Sequence, residues 1–339
     1  MTTIRNKPAV AVKPSAPVTP GNTVVGKPRR MAMPVSASPA SKATPIMPGS
    51  STPFEVVEGI ENVVPYIKVL IYGDYGVGKS VLAAQSVDVE EMRDVIILDV
   101  EGGIKSAFNS EAVANYSDIS VVRITNYQQF VAVTAFLRAH CDARDINDVA
   151  RMEHLAQQYG FNPTRRFYTV VVDSIYELDG MNFRRLIGDQ SDNLMQCNQS
   201  DDLRGDYGRN RQIIHKGLRT LRDLPMNVIF TAPVDRSKDE HTKKIEAGPM
   251  LTGKLSNDIQ GFMDVVGYLV AAQGRDTPVM TPVAGKQQAQ QPPPSNKLKR
   301  RLWLQSVGPF AAKCRLAPQH VTHIDDPTMY ALYGSMHSV

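Results

Sequence analysis

Between Val56 and about Ala272, runs of consecutive apolar residues alternate with segments whose apolar residues recur at helical spacing. "YIKVLIYG", "DVIILDVEGG", "ISVVRIT", "RFYTVVVDS", "PMNVIFTAP" and "MDVVGYLVAA" read as strands. "YQQFVAVTAFLRAHC" has the helical period, and "NRQIIHKGLRTLRDL" sets Ile214, Leu218 and Leu221 at i, i+4 and i+7, on one helix face. Strands that are continuously apolar are covered on both faces. The pattern therefore predicts an α/β fold, a mostly parallel sheet with helices on either side.

The flanks follow other patterns. Residues 1–52 are rich in Pro, Ala and Ser and carry Arg5, Lys7, Lys13, Lys27, Arg29, Arg30 and Lys42, with no acidic residue before Glu55. Prolines at that density break helices and ladders, so a disordered basic tail is expected. The core is expected over 53–318. It is interrupted at 274–299 by a flexible Gln/Pro-rich insert before "RRLWLQSV" resumes a strand, and it is followed by a short C-terminal tail over 319–339.

Composition narrows the class. The chain is 42% hydrophobic and 21% charged, with no apolar run long enough to span a membrane and no secretory signal pattern. The three cysteines, Cys141, Cys197 and Cys314, are far apart and form no CxxC pair, which argues against a disulfide framework or zinc ribbon. A cytoplasmic protein is expected. A net charge of +4 does not by itself imply nucleic acid.

The chemistry sits after the first strand. Gly73-Asp74-Tyr75-Gly76-Val77-Gly78-Lys79-Ser80 matches GxxxxGK[ST]. Glycines allow the backbone to turn tightly, so that its N–H groups face a polyphosphate. The following helix presents its positive end to the same anion. Lys79 supplies charge to the β- and γ-phosphates, and Ser80 a hydroxyl for Mg²⁺. The whole motif is therefore read as an ATP site. "FYTVVVDS" ends a hydrophobic strand in Asp173, the expected carboxylate partner of Mg²⁺. The next position, where AAA+ proteins place a water-activating glutamate, is Ser174. "IILDVEGG" offers Asp99 and Glu101 instead, on one face if the strand continues that far. Glu101 is the preferred catalytic carboxylate, and the alternative is a loop carboxylate capping a helix near Gly103.

The succession of P-loop, "LDVEGG", "VVVDS" and "NVIFTA" resembles the RecA-like ATPases. It most resembles phage nucleotide-binding ATPases, a group that includes RecA-like single-strand annealing proteins. The resemblance spans about Pro65 to Ala317 and implies a RecA-like ATPase acting in DNA recombination, repair or replication. Relatives often end the fifth strand in Thr-Ala-His. Here the sequence is Thr231-Ala232-Pro233, leaving Thr231 as the polar candidate beside the nucleotide. Lys313 and Arg315 in "AKCR" resemble the Lys-x-Arg pair that such ATPases insert into a neighbour's site, which implies a ring or filament of identical copies. No other cation apart from Lys79 stands out as well placed. The resemblance also implies single-stranded DNA as a partner, with Arg236, Lys238, Lys243, Lys244 and Lys254 as phosphate contacts. The alternative is a nucleotide-switched interaction protein, such as a loader or packaging accessory, that needs no DNA.

Overall fold

The computed structural model describes residues 66–108, 111–188, 202–238, 245–273, 279–283, 286–290, 298–316 and 320–337, all within one compact unit over 57–339. The tail expected over 1–52 lies outside the described residues, as do Lys243 and Lys244. The first strands are β1 (Lys68–Gly73), β2 (Val95–Asp99), β3 (Ile119–Arg123), β4 (Thr169–Asp173) and β5 (Asn227–Lys238). They are followed by β6 (Ile245–Pro249), β7 (Val265–Gln273), β8 (Val279–Val283), β9 (Lys286–Gln290), β10 (Leu298–Trp303), β11 (Lys313–Cys314) and β12 (His323–Asp325). Between them run helices α1 (Lys79–Ala84), α2 (Lys105–Phe108), α3 (Tyr127–Asp145), α4 (Val149–Gln158), α5 (Ile175–Leu186), α6 (Leu203–Arg222), α7 (Leu255–Phe262) and α8 (Met329–His337).

The main sheet has the order β12-β10-β7-β1-β5-β4-β2-β3. The six strands from β7 to β3 in that order pair in parallel, as their unbroken apolar runs require. β10 and β12 extend the β7 edge antiparallel, and β6 folds back on the far half of β5. One edge of β7 is shared: β11 pairs with Val265 and Val266, and β10 with Tyr268 through Gln273.

Side-chain alternation divides the core into two layers. Leu70 and Tyr72 of β1 pack with Phe130, Phe136, Leu178, Ile214, Leu218 and Ile259, under α3, α5, α6 and α7. Val69 and Ile71 face the other layer, with Val77, Leu82, Met329 and Leu332, under α1 and α8. Ile214, Leu218 and Leu221 all lie fully buried on α6, in keeping with their spacing. The N-terminus of α3 is set by Asn126, whose side chain accepts from the Gln129 N–H at 3.0 Å.

The flanks carry structure of their own. Within the insert expected over 274–299, residues 279–283 and 286–290 pair as an antiparallel hairpin, and β10 begins at Leu298. The segment read as a C-terminal tail is part of the domain. β12 completes the sheet edge, and α8 buries Met329, Leu332 and Met336, spaced i, i+3 and i+7, against the α1 layer. Three such positions are too short a pattern to stand out among the irregular residues around them. Leu332→Ala should therefore lower the unfolding free energy by about 2–5 kcal/mol in urea denaturation. Tyr330→Ala, on the exposed side of the same helix, should stay within about 0.5 kcal/mol of the parent. Equal, small effects at both positions would mean that α8 is not packed.

Candidate active site

β1 is paired on both edges, and its chain leaves the sheet at Gly73. A Cβ there would stand 2.2 Å from the Leu269 carbonyl oxygen, so only glycine fits the exit. The loop turns through Gly78 at φ 100°, a left-handed conformation, directly before α1 begins at Lys79. Val77 is buried beneath the loop, while Tyr75 above it is 67% exposed. Lys79 curls back over the loop. Its Nζ donates to the carbonyls of Gly73 at 3.1 Å and Asp74 at 2.9 Å, and lies 5.6 Å from the Tyr75 ring centre. Ser80 follows it, half-buried.

Asp173 ends β4, two strands away, and is joined to Ser174 by a cis peptide. Its Oδ1 accepts from the Thr231 hydroxyl. Its Oδ2 is buried without a hydrogen-bond partner. β2 ends at Asp99, and the chain then crosses to β4: the N–H groups of Val100 and Glu101 donate to the Asp173 carbonyl at 2.8 and 3.1 Å. Asp99 turns into its own loop and accepts from the Gly102 N–H at 2.8 Å. Asp99 and Glu101 therefore do not share a strand face as expected. Asp99 holds the turn, and Glu101 is presented beside Asp173.

Charge ties these groups together. Burial lowers the Lys79 pKa, and the carboxylates of Glu101, Asp173 and Asp74 pull it back. Glu101 is pushed above the ordinary glutamate range, first by desolvation and then by Asp173, with Lys79 opposing and Glu177 adding to the rise.

A family model described as AAA domain matches residues 66–316, more than half of the chain. The chain belongs to the AAA-domain family. This makes it a P-loop ATPase-type domain by descent, and the matched span runs from just before β1 to just past β11. No curated protein matches it. In this AAA domain Ser174 occupies the position after Asp173, and Glu101 arrives from the neighbouring strand. Among the described residues no group of three or more His, Cys, Asp or Glu side chains could by itself hold a metal ion. A cation here would rest on the free Asp173 oxygen, the Ser80 hydroxyl, water and a nucleotide's own oxygens, a donor set that suits Mg²⁺.

The expectation that Lys79 is the sole well-placed cation is corrected. Arg236 grips Asp74 within the loop through two bonds, Nη1 to Oδ1 at 2.8 Å and Nη2 to Oδ2 at 2.7 Å, and holds that carboxyl below the usual range. Its guanidinium also lies 5.6 Å from the Phe310 ring centre, and Phe310 stacks on Tyr268 at 4.0 Å. Arg300 of β10 donates from Nε to the Val77 carbonyl at 2.9 Å. Neither arginine is near the loop in sequence, so no local pattern ties them to it; Arg236, expected as a contact to DNA phosphate, pairs here with Asp74. Glu177, like Arg300, was not singled out in the sequence, and it did carry a signal, standing four residues after Asp173 in the first turn of α5.

Lys313 and Arg315 are not brought to this site. Both donate to the Gly261 carbonyl in the last turn of α7, at 3.3 and 2.8 Å, beside the start of β7. Val265 is level with Val69, four residues and about 13 Å below the P-loop exit. Within their own chain they meet a helix end and serve no part of that chain's P-loop. Thr231 also differs from expectation. It is fully buried and spends its hydroxyl on Asp173, so it orients the carboxylate rather than reaching a nucleotide. Thr231→Val would leave both oxygens of a buried carboxylate unpaired and should lower stability by about 1–3 kcal/mol in denaturant unfolding. Thr231→Ser, which keeps the hydroxyl, should retain most of it; equal losses in the two variants would show that the methyl packing, not the bond, matters.

Proposed function

We propose that this AAA domain binds ATP with Mg²⁺ and hydrolyses it, and that the hydrolysis serves DNA recombination, repair or replication with single-stranded DNA as a partner. The observation that carries the ATPase part is the free, buried Asp173 oxygen beside Lys79 and Glu101. An unpaired carboxylate oxygen in a water-poor site is costly unless a cation or an ordered water completes it. The loop amides and Lys79 bind and orient the phosphates, and Ser80 and Asp173 hold the metal. When bound, Mg²⁺ neutralises phosphate charge. The Glu101 carboxylate, made more basic by burial and by Asp173, would accept a proton from the attacking water. The DNA part is supported by the resemblance to RecA-like ATPases and by the arm formed by β5 and β6, which carries Lys238 and is tied to the P-loop through Arg236 and Asp74.

Three measurements check this. Glu101→Gln keeps the shape of the side chain and loses the base. It should bind ATP as the parent does while turnover falls about 10²-fold or more. The raised Glu101 pKa means that its base form is lost as pH falls through a value above the ordinary ~4.3 of glutamate. The acid limb of the parent's turnover profile should therefore lie above that value and disappear in Glu101→Gln. ATP turnover should also rise on addition of single-stranded DNA. A flat response, with turnover otherwise intact, would transfer the reading to a nucleotide-switched protein that acts on another protein.

A further inference from the structure

The P-loop has two sides. On the β5 side lie Asp173 and Glu101, at the ends of β4 and β2; on the opposite side of β1 lie β7 and β10. A polyphosphate whose terminal phosphate and metal face Asp173 turns its nucleoside end toward β7 and β10. Arg300 stands there. It pairs with Ala271, two residues beyond Leu269, the β7 residue level with Gly73. Alternation along β10 puts it on the same face as Leu302, which is buried in the α1 layer with Val77 and Leu82.

Its placement is tightly determined. The Arg300 N–H donates to Asp326 Oδ1 at 3.1 Å, and the Asp326 N–H donates to the Arg300 carbonyl at 2.8 Å. With the backbone clamped, Nε bonds the Val77 carbonyl, and the guanidinium lies against Gly78. A Cβ at Gly78 would meet Arg300 Nε at 3.0 Å and Nη2 at 3.6 Å. Among the described residues Nη1 and Nη2 have no hydrogen-bond acceptor. A guanidinium anchored by one nitrogen, with its outer donors left over, has the geometry for a fork on phosphate oxygens.

We propose that Arg300 is a nucleotide-binding residue that holds the nucleoside end of the polyphosphate. Its outer nitrogens donate to non-bridging oxygens of the α-phosphate, while Lys79 takes the distal phosphates. The proposal rests on the reading of the P-loop as an ATP site. Because ADP and ATP share the α-phosphate, loss of Arg300 must weaken both equally, whereas a residue of the γ-phosphate end would separate them.

The test is equilibrium binding of ADP and of ATP with Mg²⁺ to the full chain and to Arg300→Ala, Arg300→Gln, Arg300→Lys and Lys79→Ala. Arg300→Ala and Arg300→Gln should each weaken both nucleotides by the same factor, about tenfold to a hundredfold, with Arg300→Lys in between. In turnover the loss should appear in KM more than in kcat, as for binding shared by ground and transition states. Gln can still donate to the Val77 carbonyl. Parent-like binding by Arg300→Gln would therefore overturn the proposal and leave Arg300 as a support for the loop. A loss confined to ATP would overturn it too, placing Arg300 at the γ-phosphate. Failure of the parent to bind either nucleotide, or unchanged binding by Lys79→Ala, would remove the ATP-site reading and this proposal with it. Binding lost in Lys79→Ala and unchanged in Arg300→Ala would remove this proposal alone.

Discussion

The close passage of Gly73 against the Leu269 carbonyl governs much of what lies above the sheet. β1 is paired on both edges and packed on both faces, so its chain can leave only at the strand end, and there β7 leaves no room for a side chain. The loop then turns through Gly78 into α1, with Val77 buried in the layer below. Its amides and Lys79 are then held above the carboxyl ends of the parallel strands. The carboxylate of β4 and the segment leaving β2 end at that same edge, because parallel strands deliver their C-termini to one side of a sheet.

The charges gathered there balance only in part. Lys79 is drawn by three carboxylates while burial works against its charge, and Glu101 is pushed toward its neutral form by burial and by Asp173. Thr231 satisfies one oxygen of Asp173 and leaves the other buried without a partner. The backbone bonds from Val100 and Glu101 to the Asp173 carbonyl keep the two acids adjacent in spite of their mutual repulsion. The scaffold thus imposes an arrangement that a cation would relieve.

Two arginines reach the loop from outside the parallel core. Arg236 comes from the extension of β5 beyond the sheet, where β6 folds back on it, and Arg300 from the antiparallel edge strand β10. They hold opposite flanks of the loop, one through a side-chain carboxylate and the other through a backbone carbonyl. The Arg300 flank depends in turn on Asp326, just past β12, so the C-terminal segment supports the loop as well as closing the sheet edge.

The sequence by itself determined the sheet and the two motifs that define the site. Unbroken apolar strands must be buried on both faces, and GxxxxGKS and a strand-ending Asp173 are local patterns whose chemistry needs adjacent residues. It offered Asp99 and Glu101 together. Two-residue spacing suggested a shared face, whereas the strand ends at Asp99 and the next two backbone amides bind across to β4. The in-chain partners of Thr231, Lys313, Arg315, Arg236 and Arg300 were decided only by tertiary structure. Each depends on which carbonyl or carboxylate lies opposite: Asp173 for Thr231, Gly261 for Lys313 and Arg315, Asp74 for Arg236, and Val77 for Arg300. Those partners lie from tens of residues to more than two hundred residues away along the chain. Strand order and register bring them together, and neither is encoded in any short stretch around the side chain itself.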